Sequence, residues 1–270
     1  MRDAGPDDLP AVVDVAGIVD PPDEGADVDV AYYEHLVSAG RLVIAEARGI
    51  VLGYSGVIDV QGVTHLADLF VHPDAHGQGI GAALLEAAWD DQEAPRQTFS
   101  SLHPSALPLY VRSGMTPRWP LLYLRGDPAV WPQSPFVVRD ADAAELAALE
   151  QSWIGWDRSV EYAYWSAHTG SRSLVVSDGE RPVAVGCVTR TRAQHTLTHL
   201  STVDASCLRD AVTALQPFCG SDLLLSVPGE NAVLPLLLEL GWRIVDLDVY
   251  CASEPDLWDA SRVLPHPGFV

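Results

Sequence analysis

A chain of 270 residues with 48% hydrophobic and 20% charged residues has room for two ordinary globular domains. Its formal net charge is −21, and all 16 basic residues are Arg, with no Lys anywhere. That balance excludes nucleic acid as a partner, because a phosphate backbone needs a basic surface.

A negative cleft would suit a cationic ligand, although solubility or salt adaptation accounts for the same composition. No apolar run is long enough to span a membrane, and the N-terminal stretch lacks a basic, apolar signal. The chain therefore reads as cytoplasmic, with no membrane partner. Cys187, Cys207, Cys219 and Cys251 are scattered without a Cys-x-x-Cys pair and read as free, buried thiols.

Residues 7–19 place Leu9, Val12, Val13, Val15, Ala16 and Val19 at helical spacing, and Pro21-Pro22 stops them. An acidic loop carrying Asp20, Asp23, Glu24 and Asp27 follows. A short helix over 31–39 is closed by Gly40. Residues 41–47 and 51–60 read as strands, with Arg48-Gly49 and Gln61-Gly62 as turns. A third strand covers 63–71 and is buried from Leu66 onward. Residues 72–78 form a turn around Pro73, Asp74 and Gly77, and 79–90 an Ala/Leu-rich amphipathic helix. A strand over 97–102, a helix over 104–113 ended by Gly114, and a strand over 121–124 complete this half.

The strand, glycine turn and helix between Leu66 and Asp90 make an anion site. Glycines let the backbone approach a ligand, and first-turn N–H groups have no partner inside the helix. The donors are those of Gln78, Gly79, Ile80, Gly81 and Ala82. A tight turn with glycines for packing alone is the plainer alternative.

Pro128, Pro132 and Pro135 mark a linker over 127–135, and the chain then restarts. Arg2-Asp3-Ala4 matches Arg139-Asp140-Ala141 at an offset of 137 (139 minus 2). Ala106-Leu107-Pro108-Leu109-Tyr110 before Gly114 parallels Val233-Leu234-Pro235-Leu236-Leu237 before Gly241, at an offset of 127 (241 minus 114). Two similar offsets in the same order indicate a duplicated unit. The second copy lacks the glycine loop, and Leu237 stands opposite Tyr110.

Val71-His72-Pro73-Asp74-Ala75-His76-Gly77-Gln78-Gly79-Ile80-Gly81-Ala82 resembles the coenzyme-A loop of the GNAT superfamily of N-acetyltransferases. Gly79 and Gly81 take the two small positions, and His76 stands where Arg or Gln is usual. Leu109-Tyr110 with Gly114-Met115 resembles the family's Leu-Tyr-x-x-x-Gly-Phe signature, with Met for Phe. The likeness covers residues 1–126 and extends to 136–252 as a degenerate copy, similar to two-domain YitH-type members.

The resemblance implies an α/β fold with a mixed sheet in two tandem GNAT-like domains. Residues 1–126 would be catalytic, 127–135 a linker and 136–270 degenerate. It implies acetyl-CoA as cosubstrate. Its pyrophosphate would lie on residues 76–82 (His76, Gly77, Gln78, Gly79, Ile80, Gly81, Ala82), and its pantetheine arm on the backbone of Leu69, Phe70 and Val71. Tyr110 becomes the general acid for the leaving thiolate, and Asp68 the general base for the amine.

His65 lies three residues before Asp68 and points to the other face of a regular strand, so only a bulge would bring both to one cleft. Each of these side chains also has a structural reading as a packed or hydrogen-bonded residue. No metal-ligand spacing is present. The expected reaction is acetyl transfer to a small-molecule amine in a ternary complex. A non-catalytic acyl-CoA sensor and a protein or peptide acetyltransferase are the alternatives, and the sequence leaves the oligomeric state open.

Overall fold

A computed structural model describes residues 1–22, 28–89, 93–190 and 194–269. The chain forms two compact units. The first holds Met1–Arg118, Tyr250–Leu257 and Gly268–Val270, and the second Trp119–Val249 and Trp258–Pro267. The sequence places a linker at 127–135, whereas the contacts divide the chain after Arg118. Within 127–135 Trp131 is buried in the second unit, stacked on Trp242 at 5.3 Å. No helix among the described residues is long and apolar enough to cross a membrane.

In the first unit the strand order is β1 (Arg2–Asp3), β2 (Arg41–Ala47), β3 (Ile50–Val60), β4 (Val63–Val71), β5 (Arg96–Ser100). The pairs are antiparallel until β5, which runs parallel to β4. A parallel pair needs a crossover, and α3 (Ile80–Ala88) supplies it.

On one face α3 packs Leu84 on Val43 and Ala45, with Leu69 and Val71 beside them, and Ser55 donates to the Leu84 carbonyl at 3.2 Å. Arg41 donates to the carbonyl of Ala87 at 2.7 Å, placing a cation at the negative end of that helix. The opposite face carries Tyr54 against α2 (Val30–Ala39), next to α1 (Leu9–Val19). Gly40 ends α2 where a Cβ would stand 2.2 Å from the Val57 carbonyl oxygen, a contact only glycine avoids. Helix α4 (Ala106–Arg112) follows β5.

The second unit repeats the plan. From Trp119 onward β6 (Thr116–Gly126) pairs with a later strand, and β7 (Val137–Asp140), α5 (Ala143–Ile154) and α6 (Ser159–Ala167) follow. Then come β8 (Arg172–Asp178), β9 (Arg181–Arg190), β10 (His195–Thr202), α7 (Leu208–Ala214), β11 (Leu223–Pro228), α8 (Val233–Glu239), β12 (Arg243–Ala252) and β13 (Val263–Leu264). The strand order is β6-β11-β10-β9-β8-β7, with β13 on β10. Leu174, Val185, Leu200, Leu225 and Leu237 are fully buried. The last residues of β12 count with the first unit, where Tyr250 donates to Gln97 at 2.7 Å and Ser253 bonds the backbone of Arg96.

The duplication extends to ion pairs. Arg2 binds Asp8, six residues on, and Arg139 binds Glu145, six residues on. Asp3 pairs with Arg41 at 2.7 Å, and Asp140 with Arg172 at 2.6 Å. Gly114 and Gly241 both take left-handed backbone, at φ +92° and +83°.

Candidate active site

The first unit's sheet opens partway along β4. Residues 64–66 of β4 pair with 96–98 of β5, and Thr98 donates to the Leu66 carbonyl at 2.8 Å. There the parallel ladder ends, while the other edge of β4 stays paired to β3 as far as Val71 opposite Gly53. The sequence predicts a strand buried from Leu66 onward. Instead His65 and Leu66 are buried and residues 67–71 are half-buried, because β5 has parted from them.

At the parting β4 carries a bulge. Val57 opposes Leu66 and Gly56 opposes Asp68, so Ala67 is the extra residue. The bulge resets the alternation and puts His65, Asp68 and Phe70 on the face of Ile58, Gly56 and Tyr54. His65 continues into the core, fully buried, with its ring 6.1 Å from Phe99.

Asp68 meets a tyrosine cluster. Tyr54 donates to Asp68 Oδ2 at 3.5 Å, the hydroxyls of Tyr54 and Tyr33 are 3.0 Å apart, and Tyr32 also donates to the Asp68 carboxyl. Burial pushes the Asp68 carboxyl up to about 7; the Tyr32 hydrogen bond opposes the rise, the Asp20 charge adds to it and Tyr54 opposes it. Burial, with the Asp68 charge behind it, raises the Tyr33 and Tyr54 phenols, so both remain proton donors. Of the acidic loop, Asp20 thus faces the site, while Asp23, Glu24 and Asp27 lie outside the described residues.

Beyond Val71 the chain makes one tight turn, Pro73–Ala75, where His72 Nδ1 accepts from the Asp74 N–H at 3.2 Å. Gly77 and Gly79 follow at φ +75° and +79°. No heavy atom lies within 4 Å of a Cβ built on either, so backbone conformation, not crowding, demands glycine. Gly79 offers α3 no side-chain cap, and the N–H groups of Ile80, Gly81 and Ala82 sit at the positive end of the helix. The sequence carries that helix to residue 90; it ends at Ala88, and Asp90 lies outside the described residues.

His76 turns back, its Nε2 donating to the Val71 carbonyl at 2.8 Å, and its ring meets His103 at 5.7 Å. Tyr110 is buried on α4, and neighbouring Leu109 reaches within 3.7 Å of where a Cβ on Gly81 would stand. Loop, helix start and the Tyr110 helix therefore meet. The tyrosines that flank Asp68 escape the sequence reading. Their signal was weak: Tyr32-Tyr33 is a pair of aromatics on a helix whose partner, Tyr54, lies on another element.

Residues 38–115, which hold β4, the glycine turn, α3 and α4 but not Asp20, Tyr32 or Tyr33, match the family model for the acetyltransferase (GNAT) domain. That stretch of the chain is similar to the acetyltransferase (GNAT) domain. The fold agrees with solved structures. A putative acetyltransferase from Pyrococcus horikoshii superposes with a TM-score of 0.76 at 14% identity, covering 100% of this chain and 95% of that one. A GCN5-related N-acetyltransferase from Sphaerobacter thermophilus gives 0.63 at 16% identity over 97% and 95% of the two chains. A tandem GNAT protein from the clavulanic acid biosynthesis pathway gives 0.65 at 13% identity over 96% and 99%. No curated protein matches the chain.

The second unit keeps the frame of the first and closes it. Residues 195–197 of β10 pair with 223–225 of β11, three positions as in β4 and β5. A bulge again follows, at Thr198, and His199 stands where Asp68 stands in the first unit. Leu200 and Ser201 correspond to Leu69 and Phe70, but β13 pairs with them, Leu264 opposite Leu200 and Val263 opposite Ser201. The strand is fastened by Arg262, whose guanidinium donates to the Thr202 carbonyl at 3.0 Å and whose own carbonyl accepts from the Thr202 N–H at 3.0 Å. The backbone edge left open in the first unit, among the described residues, is covered in the second by the chain itself.

Proposed function

We propose that the GNAT domain transfers an acetyl group from acetyl-CoA to a primary amine of a small, cationic molecule, directly in a ternary complex, at one site per chain. The observation that carries this is the open edge of β4, which runs from Asp68 through Leu69, Phe70 and Val71 into the Gly77–Gly79 turn. The fit is chemical. A strand edge offers peptide groups to an amide-bearing arm, and left-handed glycines with an uncapped helix start offer N–H groups to a pyrophosphate without basic side chains.

Acetyl-CoA supplies a thioester whose acetyl carbon an amine can attack. Asp68, poised near neutrality, accepts the proton the ammonium must lose before its nitrogen can bond to that carbon. Tyr110 donates the proton the sulfur takes as the C–S bond breaks. Asp20, Asp68 and the rings of Tyr32, Tyr33 and Tyr54 favour a cationic acceptor. Direct transfer is supported by the cysteines: Cys251 is the one in the first unit, buried, with its thiol pushed up to about 12 by burial, unsuited to forming an acyl-enzyme.

Tyr110→Phe is expected to lower turnover ~10²-fold with acetyl-CoA affinity unchanged. Unchanged turnover would remove Tyr110 from the mechanism. Calorimetric titration with acetyl-CoA is expected to saturate at one equivalent per chain, since β13 covers the corresponding edge of the second unit. Two equivalents would contradict that.

A further inference from the structure

Phe269 is 1% exposed and belongs to the first unit. Its ring packs against Tyr32 at 5.4 Å and edge-on to His35 at 5.0 Å, both on α2. Tyr32 in turn meets Tyr33 at 5.1 Å and donates to Asp68. A fully buried aromatic holds what it packs on, and here that includes a tyrosine bonded to the Asp68 carboxyl.

We propose that Phe269 is a positioning residue for acyl transfer: its ring fixes Tyr32 in the rotamer that hydrogen-bonds Asp68. The proposal rests on Asp68 being the base of the reaction given above. Other groups face Asp68 as well: Tyr54 from β3, Tyr33 behind it, Asp20 from the end of α1, and His65 on β4 itself. On β5 Gln97 is engaged by Tyr250, and on α3 Glu86 is exposed. Phe269 meets Tyr32 and His35, and Tyr32 is a direct route by which a change at Phe269 reaches the carboxyl.

The test compares Phe269→Ala, Phe269→Leu, Tyr32→Phe and the Phe269→Ala/Tyr32→Phe double variant. The first readout is the acidic limb of kcat/KM against pH. Losing the Tyr32 hydrogen bond removes an interaction that favours the carboxylate, so the limb moves up by about one unit, the size of one hydrogen bond to a charged group. At pH 7 that is about a fivefold loss of kcat/KM. Phe269→Ala is expected to reproduce the shift of Tyr32→Phe, and the double variant to go no further than Tyr32→Phe alone. Phe269→Leu, which keeps most of the volume and folds if Ala does not, shifts it less.

The second readout is the Asp68 carboxyl titration followed by carbon NMR without substrate, assigned against Asp68→Asn. If Asp68 is not the base, Asp68→Asn keeps its activity, yet this titration still moves in Phe269→Ala. A folded Phe269→Ala with an unmoved titration, or additive shifts in the double variant, overturns the proposal.

Discussion

Asp68→Asn is expected to lower kcat/KM by ~10²- to 10⁴-fold with little change in acetyl-CoA affinity, because it removes the proton acceptor and leaves the strand edge and glycine turn in place. The pH dependence follows the same group. The carboxylate is the active form, and burial holds the carboxyl at about 7. Wild-type kcat/KM is therefore expected to be level above that pH and to fall about tenfold per unit below it. In Asp68→Asn the limb disappears along with most of the activity. A limb that survives at the same pH, or activity within about threefold of wild type, would place the base elsewhere.

Arg158→Ala is expected to be the most destabilising single change, at about 3–5 kcal/mol. Glu150, Arg158, His199 and Tyr162 form a buried cluster in the second unit, each no more than 2% exposed. Arg158 Nε donates to Glu150 Oε1 at 3.2 Å, His199 Nε2 to the same oxygen at 3.2 Å, and the Tyr162 hydroxyl to Oε2 at 2.5 Å. Burial works against the Glu150 carboxylate, and His199, Arg158 and Tyr162 outweigh it, holding it down at about 2. Burial lowers the His199 imidazole, and the Glu150 carboxylate pulls it back up. Without the guanidinium, the carboxylate is left charged in a dry interior.

Thermal unfolding measures the loss, and Arg158→Leu with Glu150→Gln is expected to cost far less than Arg158→Ala, since it removes the charge as well as its partner. The sign of the pH effect follows from the lowered carboxyl. Its stabilisation is complete above the ordinary 4.5 and drains away as pH falls toward about 2. Glu150→Gln should flatten that decline.

Local pattern fixed much of the first unit. The bounds of β2 and β4 follow from apolar runs between Gly40, Arg48-Gly49, Gln61-Gly62 and Pro73. The repeat was legible because Arg2 and Arg139 each serve the same pairing in their unit. The sequence pattern marks β6 only over 121–124 although the strand covers Thr116–Gly126, since Pro117 and Pro120 interrupt the pattern.

What escaped was tertiary. Nothing in Leu66-Ala67-Asp68 announces a bulge, which exists only against the register of β3. Tyr32, Tyr54 and Phe269 are ordinary aromatics until α2, β3 and the chain end bring them together. Covering of the β10 edge by residues 263–264 is equally invisible, because a two-residue strand carries no periodicity.

We propose the first unit as a working acetyltransferase for small amines. Release of free CoA from acetyl-CoA, followed by thiol detection across a panel of amines, diamines and peptides, tests it most directly. The expected result is saturable release that requires a small cationic amine, rises through pH 7 and is lost in Asp68→Asn. Tight acetyl-CoA binding with no amine-dependent release, or release with peptides alone, would contradict it.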